Sequence, residues 1–557
     1  MTQFSLTGKR WILRQPRGTQ LGALIPSLCA ERAIDPTLDL TSASLMAPDL
    51  FPSMQDAVRI TRDAMTDGRK ISIFGDYDCD GVTATAQIVR FFLRHGVTPH
   101  VRLPHRVKDG YGLKDGTIEE LHALGTELLI TVDTGISSLG PITLAKEHGM
   151  QVIVLDHHHV PAMLPPADAL VHPALSPAFP HPHPSAAGIA FTYVTALEQS
   201  FGSGSTWTGA EVEMDIALAA VGTVADVVPL QGHNRSLVRQ GIGALQRMQG
   251  SPLWTLLAST GSPGALTSRD IAFRIAPRLN AAGRMADPMI ALKALLGDQQ
   301  SLAALDSLNR ERQEQTATLL EELLEDESLD FSSPFLASVS ERYPPGIAGL
   351  LAGKLTELYG KPSIVGHVRG DLVTASLRSP PCYSIIDGLT ACADLLMTFG
   401  GHAQAAGCTF EVAKAPLLFE RLEQHILDRV DADELCPSLL LEAELSPAHI
   451  TADLLREITL LEPFGQGNPE PRFLLRSILL SEPRIVGSSA SHIQARIGPH
   501  KAIGFKLGDH FPLVTEPLDL ACRVGFDTWQ GRVGVQLYID DLRVAARTAS
   551  PIGEYRI

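Results

Sequence analysis

The sequence predicts a multidomain α/β protein: a unit built on a parallel sheet, a long connecting helix, a second α/β unit and a β-rich tail. Three observations carry that expectation. The segments KISIFGDYDCDG (70–81), LLITVDTGIS (128–137) and QVIVLDHHH (151–159) are rich in Ile, Val and Leu and each runs into aspartate. Short apolar runs of this kind, separated by helix-compatible stretches, read as buried parallel strands. The stretch LAALDSLNRERQEQTATLLEELLEDESLD (302–330) lacks Gly and Pro and carries Leu at helical spacing, as a connecting helix does. From about residue 437 several short strand-like runs follow one another without a long helix between them. At 557 residues the chain exceeds one ordinary core and calls for three or four domains.

From about residue 66 to 230 strand-like and helix-like runs alternate, as in a doubly wound sheet. The Pro- and His-rich segment 161–184 reads as a loop over the sheet edge, with His172, His181 and His183 as exposed loop histidines. After the connecting helix come FLASVS (335–340), a Gly-rich turn at PPGIAG (344–349), a helix through LLAGKLTELYG and the strand PSIVGHV (362–368); the unit ends near FGGHAQAAGCTFEV (399–412). In the tail, RFLLRSILL, HIQARIG, KAIGFKLG, DLACRVGFDTW and RVGVQLYIDDLRV suggest a small barrel. The oligonucleotide-binding barrel is one candidate, which periodicity alone does not single out. The expected boundaries are 1–301 for the first unit with its N-terminal extension, 302–330 for the helix, 331–436 for the second unit and 437–557 for the barrel and tail.

Hydrophobic content of 45% and charged content of 19% are those of a globular protein. No stretch approaches the ~20 apolar residues of a membrane span, and the first residues lack a signal-peptide core, so a cytoplasmic location is expected. Seven cysteines without Cys-x-x-Cys pairs argue for reduced, packed thiols. The net charge of −16 by itself disfavours a nucleic-acid partner. A carboxylate cluster adds to that charge, however, and a local basic channel can coexist with an acidic exterior.

In α/β sheets ligands bind beyond the carboxyl ends of the strands, so the strand-end aspartates should converge. Asp76, Asp78 and Asp80 alternate, and an extended backbone would point all three to one face, with Gly81 turning the chain into a helix near Val82. Three carboxylates so placed require cations or protons. A calcium loop is excluded because Ile88 lies near the position where the twelfth-residue acid belongs and an apolar strand precedes the motif. Asp133 alone could be a turn residue. Asp156-His157-His158 is less ordinary: oxygen ligands joined by imidazoles favour manganese or magnesium over a thiolate zinc site. Two such ions about 3.5–4 Å apart would brace an in-line displacement at phosphorus. Asp226, in IALAAVGTVADVVPL (216–230), reads as structural in isolation.

Taken jointly, GDYDCDG, VDTGIS, DHHH, VGTVADVVPL, RIAPRLNAAGRM (274–285), PPGIAGLLAGKL, FGGHAQAAG and LEPFGQGNPEP (461–471) make the sequence resemble the DHH phosphoesterase superfamily. Within it, the sequence is similar to the RecJ-type single-strand-DNA-specific exonucleases over almost the whole chain. The resemblance implies a DHH catalytic domain, a DHH-associated domain ending in the GGHA motif, and a C-terminal oligonucleotide-binding barrel. It implies two ions, Mn2+ or Mg2+, on Asp78, Asp80, Asp133, His157 and Asp226, with Asp133 bridging. Asp76 is an added acidic position of the RecJ branch, and Phe74 stands where many superfamily members carry a histidine ligand. Asp80, Asp133 and His158 are the implied catalytic residues; His158 would contact the scissile phosphate or assist proton transfer while Asp156 orients the histidines.

Arg278, Asn280 and Arg284 lie in a loop-like APRLNAAGR segment that the resemblance makes phosphate-binding, and the arginine fork suits that role. Arg106, Arg378 and Ser379 would hold a terminal phosphate, and Gly400, Gly401 and His402 would clamp substrate. In the barrel, Phe505, Phe526, Trp529 and Tyr538 are stacking candidates, although aromatics in a small barrel more often form core. The implied activity is 5′-to-3′ hydrolysis of single-stranded DNA to 5′-mononucleotides in recombination and repair. The implied partners are single-strand-binding protein and a RecQ-type helicase, with the chain itself a monomer away from membranes. Two rivals remain: a phosphodiesterase or pyrophosphatase for very short or cyclic substrates, against which the barrel and length argue, and an inactive DNA-tethering scaffold, against which the intact acidic and histidine motifs argue.

Overall fold

The computed structural model describes residues 4–14, 21–35, 45–106, 108–110, 112–202, 207–261, 264–487, 489–527 and 534–545. The apolar runs become a five-stranded, fully parallel sheet ordered His100–Arg102, Ile71–Gly75, Leu128–Val132, Gln151–Leu155, Ala169–Val171. Strand order reverses between Ile71–Gly75 and Leu128–Val132, the point at which open α/β sheets leave a crevice for ligands. Every residue of those two strands is buried, because both sheet faces are covered. Ile73, Ile130, Ile153 and Leu155 pack on one side with Phe91 and Tyr193. Phe74, Leu129, Val152 and Val154 pack on the other with Ile118, Leu121 and Ile142. Each such burial contributes about 1.5–3 kcal/mol.

Three local expectations change. Segment 161–184 is not only a loop: Ala169–Val171 supplies the fifth strand, where buried Ala169 and Val171 complete an apolar layer. The helix expected near Val82 begins at Cys79, with Asp78 as its N-cap accepting from the Gly81 amide at 3.0 Å. Asp76, Asp78 and Asp80 therefore do not share the face of an extended strand, which ends at Gly75. The APRLNAAGR segment is a helix, Ala276–Met285, preceded by a π-helical turn at Ile271–Ile275. Its small residues serve close helix packing: a Cβ on Gly283 would lie 2.7 Å from the Tyr77 carbonyl oxygen, in the loop after strand Ile71–Gly75.

The connecting helix spans Gln299–Leu324, short of the expected 330, and is capped by the Asp298 side chain accepting from Ser301 N at 2.8 Å. It leads into a mixed sheet ordered Thr398–Gly401, Ala405–Glu411, Leu372–Arg378, Ser363–Arg369, Leu336–Ser340, with helix Pro345–Tyr359 against it. The tail is a seven-stranded sheet interrupted by register shifts, around a core that includes Leu475, Leu518, Leu520 and Leu537. The first part of the N-terminal extension joins this tail, whereas helix Met54–Thr66 packs on the parallel-sheet unit through Met54, Ala57, Ile60 and Ala64. Arg10–Leu13 pairs in parallel with Ser438–Leu441, and Leu24, Ile25 and Leu28 enter the tail core. Buried Arg32 locks the arrangement through Glu442 at 2.6 Å and Asn468 at 2.8 Å.

Candidate active site

Beyond the carboxyl ends of the central strands, the described residues form three overlapping sets whose ligand atoms lie within 4.8 Å of one another: Asp76, Asp78 and Asp133; Asp80, His157 and Asp226; and Asp133, His157 and His158. His157 Nε2 is 3.2 Å from Asp133 Oδ1, 3.7 Å from Asp226 Oδ2 and 3.9 Å from Asp80 Oδ2. Two backbone strains accompany the cluster: Asp133 has φ +60° and Val227, next to Asp226, has φ +61°. Such strain at non-glycine residues costs about 1–3 kcal/mol and gathers at functional sites.

Each side chain is set by its local element. Asp80, in the first turn of helix Cys79–Arg94, accepts from the amides of Ala186 (2.7 Å) and Ala187 (3.0 Å) at the start of helix Ala186–Ser200. Gly222 makes room for it, since a Cβ there would lie 2.5 Å from Asp80 Oδ1. Asp226 caps the C-terminus of helix Ala210–Ala225. Asp156 takes the amides of Ile136, His157 and His158 and the His158 Nδ1 proton at 2.8 Å, which fixes the imidazole tautomer. His172 is buried and not an exposed loop histidine: it donates to the His158 carbonyl at 2.8 Å while its Nδ1 accepts from Ala174 N. Phe74 lies in the apolar layer between sheet and helices.

The electrostatics describe a site whose crowded acids call for cations or protons. Burial, then the neighbouring Asp78, raises Asp76 to about 8 and Asp80 to about 7. Burial, then Asp80, lifts Asp133 and Asp226 far above the carboxylate range. Burial and His158 drive His157 down to about 3, leaving a neutral imidazole with a lone pair to give. Although burial opposes charge on His158, the hydrogen bond to Asp156 wins and raises it. The buried Asp76 Oδ1, Asp133 Oδ1 and His157 Nε2 have no hydrogen-bond partner among the described residues. Carboxylates and neutral imidazole with orphaned donor atoms fit hard divalent cations.

The arginines form the opposing half. Arg284 is lowered to about 9 by burial and by Arg106, Arg378 and Arg312, and it feels Asp78. Arg106 lies 4.2 Å over the Tyr77 ring, and its Nε, like that of Arg312, has no partner among the described residues. Arg312, on the connecting helix, had no sequence signal beyond a charged helix face. Arg378 and Ser376 share a face of strand Leu372–Arg378 and both approach Gly349. Ser379 donates to the Tyr383 carbonyl at 2.8 Å, and it is Ser376 that lies with Arg378 beside Gly349. Arg278 is engaged by Asp306 at 2.6 Å while its charge bears on Arg312, and Asn280 accepts from Cys79 N at 3.0 Å, holding the scaffold. The GGHA hairpin brings His402 against His158, ring centroids 6.0 Å apart, with Gly401 at φ +143° beside it. Phe505 (53% exposed) and Phe526 (40%) are surface residues, not core; Tyr538 is half-buried, and Trp529 lies outside the described residues.

A parallel sheet edged by acids and histidines, faced by a second α/β lobe, defines a metal-dependent phosphoesterase of the DHH type. The model of the DHH family, N-terminal domain, matches residues 70–222, and that of the RecJ OB domain matches residues 441–541. The single-stranded-DNA-specific exonuclease RecJ of Thermus thermophilus is 33% identical over 88% of this chain and 71% of its own length. That of Salmonella typhimurium is 32% identical over 94% of this chain and 96% of its own. The crystal structure of RecJ from Thermus thermophilus in complex with Mn2+ superposes with a TM-score of 0.83 at 29% identity, covering 97% of this chain and 80% of that one. The Mg2+ complex gives 0.76 at 28% identity, over 96% and 79%. The chain belongs to the RecJ family.

Proposed function

We propose that this chain is a single-stranded-DNA-specific exonuclease that works from the 5′ end and releases 5′-mononucleotides. The observation that carries the proposal is the meeting of two uncompensated clusters: acids with orphaned donor atoms, and arginines within electrostatic reach of Asp76 and Asp78. Asp76, Asp78 and Asp133 would hold one ion, and Asp80, His157 and Asp226 a second, with Asp133 shared. Bound Mn2+ or Mg2+ supplies Lewis-acid polarisation of the phosphodiester and a more acidic water. His158, oriented by Asp156, whose hydrogen bond raises its affinity for a proton, contacts the scissile phosphate and carries the proton due to the leaving oxygen. Arg106, Arg284, Arg378 and Ser376 receive the terminal phosphate, with Arg312 adding charge from the connecting helix, so each turnover removes one nucleotide. Exposed Phe505 and Phe526 offer stacking faces on the tail domain.

Among the described residues no helix is long and apolar enough to cross a membrane. A monomer in the cytoplasm, cooperating with single-strand-binding protein and a RecQ-type helicase in recombination and repair, completes the proposal. Single strands labelled at either end, the matched duplex and a dinucleotide, each incubated with Mn2+ and with chelator, test it. Metal-dependent release of mononucleotides from the 5′ end of the single strand is expected. Equal or better turnover of the dinucleotide would point to a short-substrate phosphodiesterase, and binding without hydrolysis to a scaffold.

A further inference from the structure

Phe273 is 70% exposed, more than any other large apolar side chain among the described residues. It sits in the π-helical turn Ile271–Ile275, a rare conformation that often marks function, with the Arg269 guanidinium 5.7 Å over its ring. The segment continues directly into helix Ala276–Met285. At 3.6 residues per turn, loosened through the π turn, Arg269, Phe273, Asn280 and Arg284 fall along one side. Two members of that stripe mark where it leads. Asn280 bonds the Cys79 amide between Asp78 and Asp80, and Arg284 belongs to the arginine cluster. Phe273 therefore lies roughly 16 Å along the helix from Arg284, a reach of a few nucleotides.

The outer end of the stripe adjoins the tail domain. Ser268 Oγ donates to the Phe464 carbonyl at 2.6 Å, and in the same 464–468 loop the Gln466 carbonyl accepts from Leu230 N at 2.8 Å. Leu230 closes the short turn after Asp226 that carries Val227, itself 62% exposed. The junction between tail and metal cluster thus presents an aromatic face with a cation on it, and an apolar side chain next to a metal-binding acid.

We infer that Phe273, backed by Arg269, is the platform on which a base of the incoming strand stacks a few nucleotides beyond the terminal phosphate, making it a specificity-determining residue for strand entry. This rests on the single-strand reading given above. A ring can be covered by an unpaired base and not by one held in a duplex stack, so the contact selects single strands without reading sequence.

Phe273→Ala and Phe273→Trp, compared with the unaltered chain on 5′-phosphorylated single strands, test the inference; one abasic residue is moved stepwise inward from the 5′ end. Because the side chain is exposed, both variants should fold. Phe273→Ala is expected to raise KM about tenfold with kcat little changed, and Trp to restore it. An abasic residue at one position, about the third nucleotide by the helical rise, should weaken the unaltered chain similarly and add nothing to Phe273→Ala. An unchanged KM for Phe273→Ala on the intact strand, or abasic penalties that add to it at every position, would overturn the assignment. Failure of the unaltered chain to cut single strands would count instead against the proposed function.

Discussion

The two halves of the cleft carry opposite charge and the same defect. On the sheet edge, acids are crowded until burial and mutual repulsion hold Asp76, Asp80, Asp133 and Asp226 above their ordinary range. Across from them, arginines are crowded until burial and repulsion lower Arg284, Arg378 and Arg312. Neither half neutralises itself, and each is suited to a ligand of opposite charge: cations for the acids, a phosphate for the arginines. The net charge of −16 conceals this division.

The sharpest way to break the acidic half is Asp133→Asn, which removes a carboxylate charge proposed to serve both ions, with little change in volume. Single-turnover hydrolysis should fall at least a thousandfold, on the order expected for loss of metal-assisted catalysis, while single-strand binding measured by anisotropy persists. Loss of binding in proportion to activity would mean that Asp133 supports the fold. On the basic half, Arg378→Met should raise KM for a 5′-phosphorylated strand by roughly ten- to a hundredfold, the loss of a charged hydrogen bond. It should also erase the preference over a 5′-hydroxyl strand. Ser376→Ala should shift that preference in the same direction, whereas Ser379→Ala should leave it alone.

The acidic half also predicts a pH signature. A carboxylate whose folded pKa is raised favours the folded state below the unfolded value near 4 and loses that contribution as pH rises through the folded one. With Asp76 at about 8 and Asp80 at about 7, the metal-free protein should lose melting temperature as pH rises from about 4 to about 8 and level off above that. Saturating Mn2+ should restore more of it at pH 8 than at pH 6, because cations bind the deprotonated cluster. A melting temperature insensitive to both would contradict the assigned repulsion. The smallest effect belongs to Asn280→Ala, which removes the acceptor for Cys79 N and should cost about 1 kcal/mol in urea unfolding without altering the 5′-phosphate preference.

The halves also differ in how far the sequence disclosed them. The acidic half follows from local grammar: Ile and Val runs ending in Asp133 or in Asp156-His157-His158 announce strand ends, and strand ends converge. Asp226 escapes that grammar because it ends a helix, and only the family resemblance pointed to it. His172 escapes it too, since a Pro-rich flank resembles a loop although Ala169–Val171 is a strand. The basic half depends on contacts across long sequence separations. Nothing near Ser376 or Ser379 tells which faces the cleft until strand register fixes it, and Arg312 looks like any charged helix residue. Alanines and Gly283 in 276–285 suggested a pliable loop, but they let a helix press on Tyr77. The N-terminal segment could not be assigned to the tail core without the Arg10–Leu13 pairing.

The most direct measurement is anomalous diffraction from crystals grown with Mn2+ and a 5′-phosphorylated strand made resistant to cleavage. Two manganese peaks should appear, one among Asp76, Asp78 and Asp133 and one among Asp80, His157 and Asp226, with the terminal phosphate between Arg106, Arg284 and Arg378. A single peak, or a terminal phosphate bound away from those arginines, would contradict the division of the cleft into a cation half and a phosphate half.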